Sequence, residues 1–337
     1  MSRTTAAAAR WALTLAISLL GLLAVTFVIG RLVPIDPVLA VLGDRASASA
    51  YAATKAQLGL DQPMAVQFGI YVRDVLSGNL GTSLLTARPV LDDLMRVFPA
   101  TLELATLATL VGCLIGIPLG VAAAVHHNRW IDHVARFVGL LGSSVPIFWL
   151  ALMGLLLFYA KLSWVAGPGR LDPVFDGMVD ARTGSLLLDA LVAGEWEVLA
   201  NAGSHVVLPV GILAYYSVAY ISRMTRSFML DQLNQEYIVT ARAKGVAEWR
   251  VVWRHAFGNI AVPLLTVIGL SYSVLLEGSV LTELVFAWPG IGSYLTGALL
   301  NADMNAVLGS TLVIGVTFIL LNLAVDALYR VFDPRTR

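Results

Sequence analysis

EYIVTARAKGVAEWRVVWRHAFGN, residues 236–259, is a basic and aromatic segment of a chain that is otherwise strongly apolar. It contains two tryptophans and four basic side chains, Arg242, Lys244, Arg250 and Arg254. Its first part, Tyr237 to Lys244, predicts a short helix closed by Gly245, because glycine accepts the positive φ found just after a helix. The residues after this glycine predict a second helix, so the segment has two helices with a break between them.

The composition of the chain indicates a membrane protein. Of its 337 residues, 58% are hydrophobic and only 13% are charged, whereas soluble domains carry roughly 25% charged residues. The mean hydropathy is +0.79. The net charge is zero, so no bulk attraction to nucleic acid is implied and no nucleic-acid partner is expected. Cys113 is the only cysteine, which excludes an intrachain disulfide.

Six apolar runs have about the length of a membrane-spanning helix, roughly twenty residues. They cover residues 11–30, 102–125, 137–160, 206–221, 260–281 and 307–329. The first run could also be a cleaved signal peptide, because Arg3 and Arg10 precede it. It is long for a signal sequence, however, and no small-residue cleavage site closes it. We therefore expect the first run to remain as a membrane anchor.

The distribution of Lys and Arg predicts the orientation of these spans. Thirteen of the 22 basic residues fall in short segments on one side, namely both termini, residues 129–136 and residues 223–254. The other nine are spread over about 135 residues on the opposite side. Both termini and residues 236–259 are therefore expected in the cytoplasm.

The order of spans and connections predicts three regions. Residues 1–31 form the N-terminal transmembrane helix, and residues 32–100 form an extracytoplasmic segment with helix-like stretches at Ser47–Gln57 and Met64–Leu76. Residues 101–337 form a core of five transmembrane helices with a cytoplasmic loop at about 227–259. The acidic connection at residues 161–205 is expected to be ordered, although a loose loop at 167–197 is the alternative.

The sequence lacks the motifs of the common catalytic sites. A P-loop needs Gly-Lys-Ser/Thr to bind phosphate, and none of the three lysines, Lys55, Lys161 and Lys244, has these neighbours. No His-Glu-x-x-His helix is present, and His126, His127 and His133 fit an interfacial turn better than a metal site. We therefore expect no catalytic residues, no metal site and no ATPase activity in this chain.

Carboxylates within apolar runs are costly in a membrane and are candidates for function. Glu103 and Asp326 lie near the ends of their spans, where capping or snorkelling explains them. Glu277 lies deeper, within the fifth span. It could line a transport path, but pairing with a neighbouring helix or a partner chain is an equal alternative.

Periodicity in the second part of residues 236–259 predicts an apolar stripe on one helix face. Its members follow the spacing i, i+3, i+4 and i+7: Trp249, Val252, Trp253 and Ala256. Small residues surround the glycine break, which allows close approach of another backbone: Ala241, Ala243 and Ala247. The segment could dock against a partner protein or lie on anionic lipid, and composition leaves both open.

The stretch Tyr237-Ile238-Val239-Thr240-Ala241-Arg242-Ala243-Lys244-Gly245, followed by Arg254-His255-Ala256 and Asn259, resembles the cytoplasmic loop of ABC importer permeases. The version with Thr-Ala-Arg-Ala-Lys-Gly is similar to the dipeptide/oligopeptide/nickel subfamily. Stretches along most of the chain agree with it: residues 58–63, 78–83, 99–104, 144–149, 283–286 and 288–292. The generic importer motif has Glu and Pro where this chain has Val239 and Gly258.

This resemblance implies an all-α membrane protein with six transmembrane helices of the type I ABC importer permease fold and an ordered extracytoplasmic segment after the first helix. It implies a B-type subunit in the inner membrane of a prokaryote. The implied partners are a second homologous permease in a heterodimer, two ABC ATPase subunits and an extracytoplasmic solute-binding protein, besides membrane lipid. No cofactor is implied in this chain, because ATP and Mg would bind to the ATPases.

The resemblance also implies a role for the loop as the part that couples to an ATPase. The residues that carry this expectation are Glu236, Tyr237, Thr240, Ala241, Arg242, Ala243, Lys244, Gly245, Ala247, Trp249 and Arg254. The expected cargo is a dipeptide or oligopeptide. Nickel chelates, glutathione or haem are alternatives within the same family, and a stand-alone secondary carrier is an alternative outside it.

Overall fold

The structure is a computed structural model that describes residues 3–32, 37–42, 47–57 and 59–332. The predicted cytoplasmic residues Arg335 and Arg337 lie outside these ranges, as does residue 58 of the family-like stretch 58–63. Within the described ranges the chain is helical, and the only strand-like feature there is one antiparallel bridge between Thr82 and Pro89. Five of these helices are long and apolar enough to cross a membrane, and a bent pair of shorter helices would bring the number to six.

Fourteen α-helices follow one another along the described residues, three of which continue into or from π-helical turns. Their bounds are α1 (Arg3–Leu32), α2 (Pro37–Leu42), α3 (Ala48–Gln57), α4 (Met64–Leu76), α5 (Val90–Val125), α6 (Trp130–Ser144), α7 (Ile147–Gly154, continued by a π-helix at Leu155–Lys161), α8 (Leu186–Ala193), α9 (Trp196–Leu233), α10 (Glu236–Ala243), α11 (Glu248–Arg250, continued by a π-helix at Val251–Ala256), α12 (Phe257–Val285), α13 (Ile291–Leu300) and α14 (Met304–Phe332).

The third predicted span, residues 137–160, is not one continuous helix. It is divided between α6 and α7, whose axes differ by 97°. The division lies at Val145 and Pro146, where Val145 is extended with φ −95° and ψ 127°. A proline has no N–H for the helix ladder and disfavours helical dihedrals in the residue before it. The apolar run showed the length of the span but not this break.

The chain divides into two compact units, residues 1–97 with 294–320 and residues 98–293 with 321–337. In the first unit, the two helices predicted in the extracytoplasmic segment are present as α3 and α4. Helix α4 packs against α1, since the ring of Phe68 lies 5.3 Å from that of Phe27 and the hydroxyls of Tyr71 and Thr26 are 2.9 Å apart. The division at residues 31 and 100 was drawn from topology and stays a prediction.

In the second unit, α5 approaches α9 through a row of small residues. Gly112, Gly116 and Gly120 are four residues apart; a Cβ added at the first or third would collide with α9, and one at the second would press tightly against it. Its Ser217, Ile221 and Thr225 occupy that space. Without a hydrophobic effect between helices in lipid, such close van der Waals packing is what holds membrane helices together. A buried core next to this contact includes Leu104, Leu213, Leu275 and Trp288.

The connection at residues 161–205 is ordered, as expected. It contains a 3₁₀ turn at Pro173–Phe175 and helix α8. Asp189 is buried and accepts hydrogen bonds from the backbone N–H groups of Arg182, Thr183 and Gly184 and from the Thr183 hydroxyl. Burial raises the pKa of Asp189, but these four bonds outweigh it and leave the pKa below its usual value.

Candidate functional site

The predicted helix, break and second helix of residues 236–259 are all present. Helix α10 ends in a Schellman motif, in which the N–H of Gly245 bonds to the carbonyl of Arg242 and the N–H of Val246 bonds to that of Ala241. Gly245 has φ +74°, the left-handed conformation that favours glycine. The break therefore has a defined geometry, in which two hydrogen bonds fix Gly245 and Val246 at the end of α10.

One side chain anchors α10 to the rest of its unit. Ile238 is fully buried and is the only buried residue of α10, every residue of which is described. It lies in a cluster with residues of α5, α9 and the segment leading into α12: Val121, Ala124, Met229, Val251, Val252, Ala256 and Ile260. An isolated helix of eight residues has little stability in water. Helix α10 therefore depends on this contact.

Polar contacts fix both ends of α10 to the neighbouring helices. The Tyr237 hydroxyl donates to Gln232 at the end of α9 at 2.7 Å and accepts from the Asn259 amide of α12 at 2.9 Å. Across the break, Arg242 donates to both carboxylate oxygens of Glu248 at 2.6 and 3.2 Å. This hydrogen bond raises the pKa of Arg242 above its usual value. Tyr237 at the start of α10 thus holds it against two long helices, and Arg242 near its end connects it to α11.

Most of the predicted loop residues are exposed, as a docking surface requires. The exposed members are Glu236, Tyr237, Thr240, Arg242, Ala243, Lys244, Gly245, Trp249 and Arg254, while Ala241 and Ala247 are half-buried. Space beside Gly245 is open. The loop therefore presents basic and small residues on its surface, while Ile238 of α10 is buried beneath them.

The predicted apolar stripe of the second helix is wrong in its details. Val252 and Ala256 are buried as expected, but Trp249 is 66% exposed and Trp253 is 44% exposed. Val251, which the α-helical spacing left out, is fully buried. The cause is the π-helix at Val251–Ala256, whose wider turn rotates the following side chains away from the α-helical positions. Trp249 instead lies beside the guanidinium of Arg250 at 5.7 Å.

Comparison with known proteins places this arrangement in a family. Residues 116–337 match the family described as binding-protein-dependent transport system inner membrane component, and residues 7–105 match its N-terminal membrane component. The chain belongs to this family. The membership agrees with a multi-pass membrane subunit that has no ATPase domain of its own, and it does not favour a stand-alone carrier.

Curated relatives of this membrane component cover nearly the whole chain. The probable D,D-dipeptide transport system permease protein DdpB of Escherichia coli K12 is 46% identical over 96% of this chain and 95% of its own length. The dipeptide transport system permease protein DppB of Alkalihalophilus pseudofirmus is 39% identical over 95% of each. The di/tripeptide transport system permease protein DppB of Pseudomonas aeruginosa is 41% identical over 94% of each.

A solved structure supports the predicted fold. The chain resembles one from inward-facing structures of the MetNI methionine ABC transporter, with a TM-score of 0.51 and 17% identity, over 71% of this chain and 96% of the other. At this identity the likeness concerns the fold alone. It confirms the all-α fold of a type I importer permease.

Glu277, the candidate for the transport path, lies apart from the loop on α12. Its side chain is exposed in this chain. An exposed carboxylate on a membrane helix fits a water-filled path or contact with a partner chain. Its assignment to the path stays a prediction.

Several buried carboxylates in this membrane component have partners that the sequence does not predict. Glu283 is fully buried and accepts from the Thr101 hydroxyl at 2.6 Å, the Ser279 hydroxyl at 3.2 Å and the N–H of Ser293 at 3.0 Å. The family-like stretches at 99–104 and 283–286 contain Thr101 and Glu283, but nothing in the sequence pairs them. These bonds fix the end of α12 to α5.

Glu103 does not snorkel toward water. It is buried and pairs with Arg170 at 2.5 Å, while it also accepts from the Ser185 hydroxyl and from the N–H of Leu187 at the start of α8. Glu103 therefore caps the start of α8, a helix of the outer connection, which is one of the two roles expected for it. The guanidinium of Arg170 also lies 5.3 Å from the ring of Trp288.

On the cytoplasmic side, buried Asp132 pairs with Arg226 at 2.5 and 2.9 Å and so joins α6 to α9. The histidines of the same connection take part in hydrogen bonds: His127 lies 3.2 Å from Arg226, and His133 lies 2.7 Å from Arg136. Among the described residues, no group of three or more His, Cys, Asp or Glu side chains is placed to hold a metal ion.

Proposed function

We propose that this chain is one of two homologous membrane subunits of an ATP-driven importer that moves dipeptides or oligopeptides delivered by a solute-binding protein. Support for the cargo comes from the three relatives, whose names specify D,D-dipeptides, dipeptides and di/tripeptides. ATP and Mg would bind to partner ATPase subunits. The other subunit would be a homologous permease, and together the two chains would enclose the path.

The observation that carries this proposal is the construction of α10. Its surface is exposed and carries Arg242, with Lys244 directly after it, while Ile238 beneath it contacts α5, α9 and the start of α12. A helix built in this way can be pushed by a partner and passes that push to three long helices. We assign the surface of α10, with Ala241 and Ala247 beside the break, as the contact with one ATPase.

Coupling requires that α10 interact differently with the ATPase pair in its open and closed states. The fixed backbone conformation at Gly245 and the ion pair between Arg242 and Glu248 keep α10 from rotating independently. Movement of the ATPase surface would therefore displace α10 together with the ends of α9 and α12. Glu277, on α12 and exposed, would then change its position along the path.

The test is peptide uptake by the assembled transporter in proteoliposomes. We expect Gly245→Glu to lower uptake and the stimulated ATPase rate, because it adds a charge to the contact surface and a side chain to a left-handed position, at a cost of about 1–2 kcal/mol. Ala241→Arg should also lower uptake and the stimulated ATPase rate, because its larger side chain prevents close approach of the ATPase. Membrane insertion of both variants should remain detectable. Wild-type uptake in both would refute the coupling role.

A matched control separates the contact from backbone strain. Gly194 ends α8 with φ +75° and has open space around it, as Gly245 does, but it lies in the extracytoplasmic connection. Gly194→Glu therefore introduces the same strain and charge away from the ATPases. We expect Gly194→Glu to remain associated with the ATPase subunits and to keep the ATPase rate that the complex has without stimulation. Gly245→Glu, in contrast, should weaken association with the ATPases.

The cargo is tested separately, by uptake of a labelled dipeptide in competition with a tripeptide, a nickel chelate, glutathione and haem, with the cognate binding protein present. Competition by peptides alone supports the proposal. Uptake that depends on one of the other three would assign the chain to a different substrate while leaving the coupling role unaffected.

A further inference from the structure

A cavity of about 280 Å³ lies in the first compact unit, beside the end of α1. Its described lining comes from α1, from α4 and the residues around it, and from the first turns of α14. No step of the proposed transport cycle uses this cavity. Its wall has apolar side chains on one part and polar side chains on another, including one cation and one carboxylate, and such a division suits an amphiphile.

The cationic group is Arg31, in the last turn of α1. Its guanidinium lies over the ring of Phe27 at 5.2 Å. Its Nε is buried and makes no hydrogen bond to any residue that the structure describes. A buried charged donor without a partner is unfavourable by an amount comparable to a lost hydrogen bond. Guanidinium groups bind phosphate well, because several N–H donors match its oxygens.

The apolar part of the wall lies on the membrane side of Arg31. Phe27 precedes Arg31 by one turn on α1, which runs outward in the predicted topology. Leu308 and Leu312 lie on α14, which runs inward from Met304. The apolar run of α1 ends at Gly30, so Arg31 is at the depth of lipid headgroups and the three apolar side chains are at the depth of acyl chains.

We propose that this cavity binds a phospholipid of the outer leaflet, with its phosphodiester on Arg31 and part of one acyl chain against Phe27, Leu308 and Leu312. Asp74 also lines the cavity. Its carboxylate accepts two hydrogen bonds from the exposed Arg73, at 3.0 and 3.2 Å, which offsets its charge. The part of the cavity around Arg31 therefore still favours an anion.

The test measures phospholipid retained by the full chain. The protein, within its assembled transporter, is reconstituted in vesicles of phosphatidylethanolamine and phosphatidylglycerol, extracted into detergent and analysed by native mass spectrometry. We expect one tightly held phospholipid for each copy of this chain. Arg31→Gln should weaken its retention about tenfold, as loss of one charge-assisted hydrogen bond predicts. Arg88→Gln removes an exposed charge of the same outer segment and should have no effect.

A second variant keeps the charge and fills the space. Ile70→Trp places a larger side chain into the cavity wall and should expel the lipid although Arg31 is retained. Unchanged retention in both Arg31→Gln and Ile70→Trp would overturn the proposal. So would displacement of the bound lipid by inorganic phosphate or glycerophosphoethanolamine, which would indicate a free-anion site, or by a dipeptide, which would indicate a peptide site.

Discussion

Replacing Ile238 with alanine would remove the anchor that holds α10 in place. The side chain is fully buried in a cluster formed by α5, α9 and the segment leading into α12. An Ile→Ala change in a packed core costs about 2–5 kcal/mol, whereas Ile→Val costs about 0.5–1.5 kcal/mol. Because eight residues cannot form a stable helix alone, most of this loss should appear as local opening of α10.

Hydrogen–deuterium exchange of the assembled transporter would measure that opening. The reporters are the amides of Lys244, Gly245 and Val246, which bond to carbonyls of α10. A loss of about 2 kcal/mol corresponds to roughly thirtyfold faster exchange through opening, since about 1.4 kcal/mol is a factor of ten. Ile238→Val should give a change of less than about tenfold.

Val239→Ala is the matched control, because Val239 neighbours Ile238 on the same helix but is 61% exposed. We expect no measurable change in exchange for this variant. Uptake of peptide should fall in Ile238→Ala and remain near wild type in Val239→Ala. Unchanged amide exchange in Ile238→Ala would refute the anchoring argument, and faster exchange with normal uptake would refute the coupling role alone.

Three further predictions concern the carboxylates. Arg170→Met leaves buried Glu103 without its cation and should cost about 3–5 kcal/mol, measured as a lower thermal midpoint; an unchanged midpoint would contradict the pairing. Asp189 has a pKa below its usual 3.8, so its stabilisation is complete above that pH and is lost as pH falls through the lowered pKa. After correction for the intrinsic slowing of exchange in acid, the protection of amides 182–184 should then fall as pH drops, whereas their protection in Asp189→Asn should not depend on pH. Glu277→Gln should lower uptake at normal yield, and normal uptake would assign Glu277 to packing.

Local chemistry explains why part of this structure could be predicted from the sequence. The helix break at Gly245 follows from the residues around it, and the two hydrogen bonds of the Schellman motif join residues three and five apart. The helices Ala48–Gln57 and Met64–Leu76 follow in the same way from their own composition and, for the second, from Pro63 directly before it. In each case the information lies within one or two turns.

The errors arose where geometry depends on more than local pattern. At Val251–Ala256 the chain forms a π-helix, and the spacing i, i+3, i+4 and i+7 no longer describes one face. Trp249 and Trp253 therefore face outward although the α-helical pattern placed them with Ala256. Similarly, hydropathy identified residues 137–160 as one run, because mean hydropathy does not register the lost hydrogen bond at Pro146.

Partners distant in sequence could not be predicted either. Glu103 bonds to Arg170, 67 residues away, and Glu283 bonds to Thr101, 182 residues away. One sequence contains many carboxylates and many possible donors, and only the folded positions of the outer connection and the end of α12 beside α5 select these pairs. Of the two alternatives expected for Glu103, capping is present and snorkelling is not, because the outer connection covers this carboxylate and supplies the cation.

The two ends of α12 bear on the coupling proposal. At the cytoplasmic end, Ile260 packs with the anchor Ile238, and at the other end Glu283 is bonded to Thr101 of α5. Both anchored residues lie on one helix of 29 residues, about 43 Å long, whose ladder is interrupted only at Pro263 among its described residues. A loop that merely held an ATPase would need the first anchor alone. A second buried anchor at the far end is what a helix requires if displacement at α10 is to reach the extracytoplasmic side.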